Sequence, residues 1–465
     1  MIRLSRLVDP GCSFRGDNPS HSAIVQVARL FQRRFSNGRD SEVELGFVPG
    51  RVEVAGKHTD YAGGHTLVCA IERGFLFAAA PNPDGKIRIV EDSSEFPPLE
   101  FPFAEKMKPP SERWANYPMT MAQRVASNFG RDISLSGVDI AFTSSMPVGS
   151  GMSGSSALMM TCFCAIALVN RLHETSTFRS NILNGIDLAM YLACVENGQS
   201  FRNLPGGKGV GTFGGSEDHT AILNCRPGML SLYQYAPTVF KADVAWPPDW
   251  ALVVAFSGVR AEKTREALEK YNLASRRAVL AVDVFNRESG KKLRSLSEIE
   301  MEMRGVSYPT WLNTLGVNNA APEELDLPGR VRQFLLEERE TTPRVLLSLM
   351  RGDLDALGKA ISASHRASRR SLWNIAPEVD YLQRSAIKLG AAGASGFGAG
   401  FGGSIFAVTR IQNAAEFAAA WQHGYAKRYP EREGESAFFL ARPSPGIRIW
   451  SEQGPSRFVD MLFES

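Results

Sequence analysis

Apolar residues recur at helical spacing over Ser22 to Phe35 (Ile24, Val27, Leu30, Phe31) with basic residues behind them, which predicts an amphipathic helix. Glu44 to Val54 reads as a strand, a Pro-Gly turn and a second strand. His65 to Ala80 is a long β-rich run, followed by a turn at Pro81 to Gly85 and a strand at Ile87 to Val90. The Pro-rich stretch Glu95 to Pro110 predicts a surface excursion, and Trp114 to Phe129 a helix with Ala122, Val125 and Phe129 on one face. Val138 to Thr143 alternates like a strand. After a glycine-rich break, Leu158 to Leu172 is an almost unbroken apolar helix former, and Ile186 to Asn197 predicts a second buried helix. Pro247-Pro248 interrupts the chain and places a domain boundary near residue 245, dividing 1–245 from 246–465. Beyond it the pattern predicts a strand at Trp250 to Phe256 and a long helix from Ala261 to Glu288. Leu335 to Arg370 reads as two helical pieces split at Arg351-Gly352-Asp353. A helix at Leu382 to Leu389, a strand at Ser404 to Thr409, a helix at Ala414 to Tyr429 and a final strand near Phe438 complete the reading.

Composition narrows the class. The chain has 465 residues, enough for two or three domains, with 44% hydrophobic and 22% charged residues, as in a globular protein with a substantial core. A net charge of +3 is too small to argue for nucleic acid or an anionic membrane. The start, Met1-Ile-Arg-Leu-Ser, lacks the apolar core of a secretory leader, and the longest apolar run is too short to span a bilayer. Six scattered cysteines (Cys12, Cys69, Cys162, Cys164, Cys194, Cys225) form no C-x-x-C. Neither a zinc ribbon nor a disulfide framework is indicated, and the expectation is a reduced, cytoplasmic protein.

The chemistry gathers in glycine-rich segments. Met146 to Ala157, MPVGSGMSGSSA, lies between a strand and a helix. Glycines admit positive φ and close backbone approach, and the helix start offers unpaired N–H groups and a positive dipole end. That combination is a phosphate cradle. No Lys-Ser or Lys-Thr follows the last glycine, so it is not a Walker A loop. Gly149, Gly151 and Gly154 match G-x-G-x-x-G, but the strand with a terminal acidic residue that a dinucleotide fold requires is absent downstream. A second glycine loop, Gly393 to Gly403, carries the same spacing in the reversed order, helix before and strand after. Gly56 to Gly64 packs five polar or ionisable side chains into a loop between strands, as functional loops do. The segment 209–219 adds an acidic pair.

Together these segments resemble the GHMP kinase superfamily, and galactokinases within it. The galactokinase signature G-R-V-N-L-I-G-E-H-T-D-Y-N-G-G is similar to Gly50-Arg-Val-Glu-Val-Ala-Gly-Lys-His-Thr-Asp-Tyr-Ala-Gly-Gly64. The motif P-x-G-x-G-L-S-S-S-A resembles Pro147 to Ala157, G-A-G-F-G-G stands intact at Gly398 to Gly403, and P-E-L-D-x-L resembles Pro377 to Leu382. The resemblance covers about residue 45 to 410. It implies an α+β, two-domain architecture: an N-terminal domain like domain 2 of ribosomal protein S5 and a ferredoxin-like C-terminal domain. ATP with Mg²⁺ would lie between them, and the activity implied is transfer of a phosphoryl group to the anomeric hydroxyl of galactose or a close relative.

The resemblance also assigns roles. Asp218 matches the carboxylate that takes or directs the proton of the acceptor hydroxyl, and Arg51 the arginine beside it. Pro147, Gly149, Ser150, Gly151, Met152, Ser153, Gly154, Ser155 and Ser156 form the nucleotide loop. Ser156 and Glu196 are the implied Mg²⁺ ligands, both oxygen donors as that hard ion prefers. His58, Asp60, Gly215 and Tyr271 are the implied sugar contacts. Glu196 and Asp218 are about 10 residues further apart than in typical galactokinases, by an insertion at Ser200 to Val210 that would form a lid or line a modified pocket. Lys57 stands where galactokinases carry a sugar-contacting Glu. In the pocket it would favour an anionic C6; turned to solvent it would leave an ordinary galactose pocket. The alternatives are a uronate or pentose 1-kinase, such as a galacturonokinase or arabinokinase, and below them a non-catalytic sugar- and ATP-binding regulator. The expected partner is a small-molecule sugar, without nucleic acid or membrane, and the expected state a monomer or weak homo-oligomer.

Overall fold

The computed structural model describes residues 1–9, 19–93, 95–108, 114–261, 265–314 and 325–463. Cys12, the end of the expected excursion at 109–110 and the start of the long helix at 262–264 lie outside the described residues. The first sheet begins with β1 (Ile2–Arg3), β2 (Glu42–Ala55), β3 (His65–Asn82), β4 (Lys86–Glu91), β5 (Leu99–Pro102), β6 (Gly137–Ser144), β7 (Met229–Gln234) and β8 (Val239–Ala245). The second sheet is built from β9 (Trp250–Phe256), β10 (Gly393–Gly396), β11 (Ser404–Arg410) and β12 (Ala437–Ala441), in the order β10-β11-β9-β12. All seven residues of β9 are buried, which is why it reads as an unbroken apolar run rather than an alternating one.

Two short strands, β13 (Arg448–Ser451) and β14 (Gly454–Arg457), then return to the first sheet, whose order is β14-β13-β2-β3-β6-β4-β5. The chain therefore crosses back: β13 pairs with β2 through Arg448–Phe47, Ile449–Gly46 and Trp450–Leu45. The segment 448–457 of the expected C-terminal unit 246–465 is thus part of the first sheet. The expected turn at Pro49-Gly50 is corrected. β2 runs through it, with a bulge between Pro49 and Arg51 in its pairing with β3. A bulge is where a strand tolerates proline. Gly50 is needed there because a Cβ would lie 2.9 Å from the Met152 carbonyl oxygen of the neighbouring loop.

The helix Gly154–Val169 has apolar residues all round and is buried on every side but its ends, as such a helix must be. It packs on β2 and β3 beneath the helix Asn116–Phe129 and the helix Glu217–Asn224. The helix Gly185–Asn197 starts at Asn184, whose side chain accepts the N–H groups of Ile186 and Asp187, both at 2.9 Å, and stops at Gly198 in the left-handed conformation.

The loop after β2 is held by the C-terminal half. Glu337 Oε2 accepts the Gly56 N–H at 3.0 Å, and Gln333 Nε2 donates to the Lys57 carbonyl at 2.8 Å. Arg330 Nη2 donates to the His58 carbonyl at 2.6 Å, and Glu338 Oε1 accepts the His65 N–H at 2.5 Å. These four partners lie on the helix Leu327–Leu336 and the π-helical turn Glu337–Thr341 that continues it.

Candidate active site

Strand alternation decides which β2 side chains reach the cavity. Val52 and Val54 face the core, fully buried, while Arg51 and Glu53 share the opposite face. Arg51 is the hub. Its Nε donates to Asp218 Oδ1 at 2.9 Å, its Nη2 lies 2.8 Å from the same oxygen, and its Nε is 3.4 Å from Glu217 Oε1. Nη1 donates to the Gly151 carbonyl at 2.7 Å, which ties the base candidate to the phosphate loop. Burial alone would discharge Arg51, but Asp218, Glu217 and Glu53 hold it firmly protonated.

The loop 146–157 is positioned from the other side by the second glycine segment. Ser404 Oγ donates to the Ser150 carbonyl at 2.7 Å, and the Ala261 N–H to the Gly149 carbonyl at 2.7 Å. Gly151 has φ +74°, a conformation that costs a β-branched residue dearly. Pro147, Gly149, Ser150, Gly151, Ser153, Gly154, Ser155 and Ser156 all line a cavity of about 620 Å³ that also takes in Arg51, His58, Asp60, Glu196, Gly215, Asp218 and Tyr271. Met152 does not face it: its side chain is fully buried in the core, and the residue contributes its carbonyl to the Arg51 N–H at 3.3 Å.

Lys57 does not face the cavity either, and it does not reach solvent. It is 2% exposed, and its Nζ donates to Ser364 Oγ at 3.1 Å and to Ser395 Oγ. Both expected placements of Lys57 are thus corrected. The reason is a buried carboxylate behind the loop: Glu337, whose Oε1 accepts from Ser364 Oγ at 2.5 Å and whose field opposes the discharge of Lys57 by burial.

His58 Nε2 accepts from Asn374 Nδ2 at 3.1 Å, so its Nδ1 carries the proton and donates to Tyr61 Oη at 2.8 Å. Burial and then the Arg330 charge push its pKa down to about 3, which fixes it as neutral. Asp60 is pushed up to about 6 by burial, opposed by the Tyr61 N–H. Ser156 Oγ donates to Glu196 Oε2 at 2.8 Å, and His219 Nε2 lies 3.1 Å from the same oxygen. Among the described residues, no group of three or more His, Cys, Asp or Glu side chains forms a metal cage.

Sequence reasoning missed three features of this cavity. Glu53 and Glu217 both line it, 2% and 6% exposed. Phe96 and Trp114, in edge contact with ring centroids 5.4 Å apart, form an aromatic wall. Glu53 was visible as a departure from the quoted signature; of the aromatic pair, Phe96 comes from a stretch whose pattern signalled only surface and Trp114 from the start of the helix expected after it. The insertion places Lys208 and Val210 on the cavity wall. It is pinned rather than lid-like: Val210 N–H donates to the Glu196 carbonyl at 2.9 Å, and Arg124 Nη1 to the Gln199 carbonyl at 2.8 Å.

Comparison with known proteins agrees with this geometry. A galactokinase galactose-binding signature matches residues 29–81, a GHMP kinase N-terminal domain residues 116–198, and a GHMP kinase C-terminal domain residues 345–427. The chain is a galactokinase-like GHMP kinase. This kinase is 26% identical over 407 residues to a galactokinase of Roseiflexus sp. (strain RS-1), covering 86% of this chain and 91% of that one. It is 25% identical over 437 residues to a galactokinase of Canis lupus familiaris, covering 92% and 96%. Its fold matches the crystal structure of Lactococcus lactis galactokinase complexed with galactose, with a TM-score of 0.70 at 23% identity over 90% of this chain and 97% of that one. A D-glycero-D-manno-heptose 1-phosphate kinase shares the fold with a TM-score of 0.54 at 12% identity, over 88% and 99%. No helix of the described residues is long and apolar enough to cross a membrane.

Proposed function

We propose that this kinase transfers the terminal phosphoryl group of ATP to the anomeric hydroxyl of galactose, giving a sugar 1-phosphate. The observation that carries the reading is the Arg51–Asp218 pair, set in one cavity with the loop 146–156 and with His58 and Asp60. Asp218 accepts or directs the proton of the attacking hydroxyl. Arg51 holds that carboxylate in place and offers a fixed positive charge where negative charge develops. The N–H groups of the glycine loop and the start of the helix Gly154–Val169 hold the phosphates. Neutral His58 and Asp60 orient the sugar, Asp60 accepting hydrogen bonds from hydroxyls.

The donors Ser156 Oγ and Glu196 fit Mg²⁺, since both are oxygens on one wall and already 2.8 Å apart. Bound there, the ion would neutralise charge on the transferred phosphate. A uronate kinase would need a cation at the sugar's carboxylate, and Lys57, the residue that suggested one, is turned out of the cavity. An ADP-release assay over galactose, glucose, arabinose and galacturonate, with the product identified as an acid-labile 1-phosphate, tests the reading. Galactose is expected to give the highest kcat/KM. No turnover of galactose beside good turnover of another acceptor would overturn it.

A further inference from the structure

Outside the active site, a proline- and tryptophan-lined groove of about 840 Å³ lies around Trp246 and Pro443, and nothing in it says what it would hold. Inside the cavity, Glu53 has no role in the mechanism above. Glu53 sits two residues beyond Arg51 on the same face of β2, roughly 7 Å further along the strand. It stands between the reacting pair and the loop that carries His58 and Asp60. Its Oε2 accepts the Gly398 N–H at 3.1 Å, which fixes the carboxyl plane. Its Oε1 is buried and has no hydrogen-bond partner. A buried acceptor left unpaired is costly, and natural structures seldom keep one without a use.

We propose that Glu53 is a specificity-determining sugar contact: its Oε1 accepts a hydrogen bond from a ring hydroxyl of the substrate close to the acceptor position. This rests on the sugar-kinase reading above and names a residue that reading does not require.

Three observations support it. First, the neighbouring cation does not occupy the site: Lys57 donates to Ser364 and Ser395, and Glu53 Oε1 takes no hydrogen bond from it. Second, Glu53 lines the cavity although only 2% of it is exposed, so a substrate that fills the space lies against its carboxyl group. Third, burial pushes Glu53 up to about 7, against the pull of Arg51, of Lys57 and of the Gly398 N–H. A sugar hydroxyl would supply the donor that solvent cannot. Glu217, also raised by burial and by Glu53 itself, does not compete for the role, because it lies against Arg51. Four carboxyls, Glu53, Asp60, Glu217 and Asp218, therefore share this cavity, which suits a polyhydroxylated neutral sugar and disfavours a sugar carboxylate.

The test pairs variants with deoxy sugars. Glu53→Ala deletes the contact; Glu53→Gln keeps shape and one acceptor while removing charge. Steady-state kinetics are run on galactose and its 2-, 3-, 4- and 6-deoxy analogues. Expected for Glu53→Ala is a loss of at least tenfold in kcat/KM for galactose, carried mainly by KM, with the KM for ATP within twofold. One deoxy analogue, already poor for the wild type, should lose at least fivefold less than galactose does, which identifies the hydroxyl. Glu53→Gln should fall between. Equal losses on every sugar, or an unchanged KM for galactose, would overturn the assignment while leaving the kinase reading in place. A wild type that phosphorylates no aldose in the series overturns both.

Discussion

Replacing Lys57 by Met removes the cation that balances the buried Glu337 across Ser364 without removing much volume. Glu337 is left with the Gly56 N–H at 3.0 Å and Ser364 Oγ at 2.5 Å but no counter-charge. Breaking one side of a buried pair costs about 3–5 kcal/mol. A second route gives a ceiling, since Glu337 can take a proton instead. Carrying a carboxyl from its ordinary pKa of about 4.5 to neutral pH costs about 3 kcal/mol at 1.36 kcal/mol per unit. The two figures meet at about 3 kcal/mol. For 465 residues the unfolding entropy is about 1 kcal/mol/K, so the melting temperature should fall by about 3 °C. The loss should shrink as the pH falls toward 5, where Glu337 protonates readily. It should be at least half recovered by adding Glu337→Gln. Differential scanning fluorimetry across pH, beside kcat/KM for galactose and galacturonate, is the assay. The ratio of the two sugars should stay within about threefold of wild type. An unchanged melting temperature with a tenfold shift in sugar preference would refute the reasoning and return Lys57 to the substrate.

Asp218→Asn preserves shape and an oxygen for Arg51, so kcat should fall by at least about a hundredfold while calorimetric ATP affinity stays within about threefold. Gly151→Val forces a β-branched residue to φ +74°, and the KM for ATP should rise at least about tenfold as the loop distorts. The pH dependence of stability carries the sign of Glu53. Its folded pKa of about 7 lies above its unfolded value, so the folded state binds more protons between about pH 4.5 and 7, and this contribution is lost as the pH rises through that window. His58 and His365, both pushed down to about 3, act in the opposite sense below pH 6.5. Urea unfolding should therefore be compared between proteins: Glu53→Gln should gain stability relative to wild type from pH 4.5 to 7.

Much of this was legible in sequence because it is local. The apolar helix after the glycine loop, the fully buried β9 and the split at Gly352 follow from periodicity and turn chemistry within a few residues. The motifs located Arg51, Asp218, Ser156 and Glu196, and the fold brings them to one cavity. What was not legible depends on partners far along the chain. β13 is four residues of RIWS, and only its pairing with β2, some 400 positions earlier, makes it part of the first sheet. Pro49-Gly50 reads as a turn until β3 is seen to pair across it. Lys57 has a functional neighbourhood in sequence, but its direction is set by Ser364 and Ser395, about 300 residues on. Glu53 was in plain view as a departure from the signature, and only its unpaired oxygen makes it informative.

The grip of the segment 327–341 on the loop after β2 bears on how substrates get in. A clamshell swing of the two halves would strip the main-chain groups of Gly56, Lys57, His58 and His65 of their side-chain partners together. At 1–3 kcal/mol for each stranded group, that is roughly 4–12 kcal/mol, as much as a whole protein's margin against unfolding. The four bonds favour a fixed mould over a pair of jaws, and they predict that sugar and nucleotide enter the cavity without the halves parting.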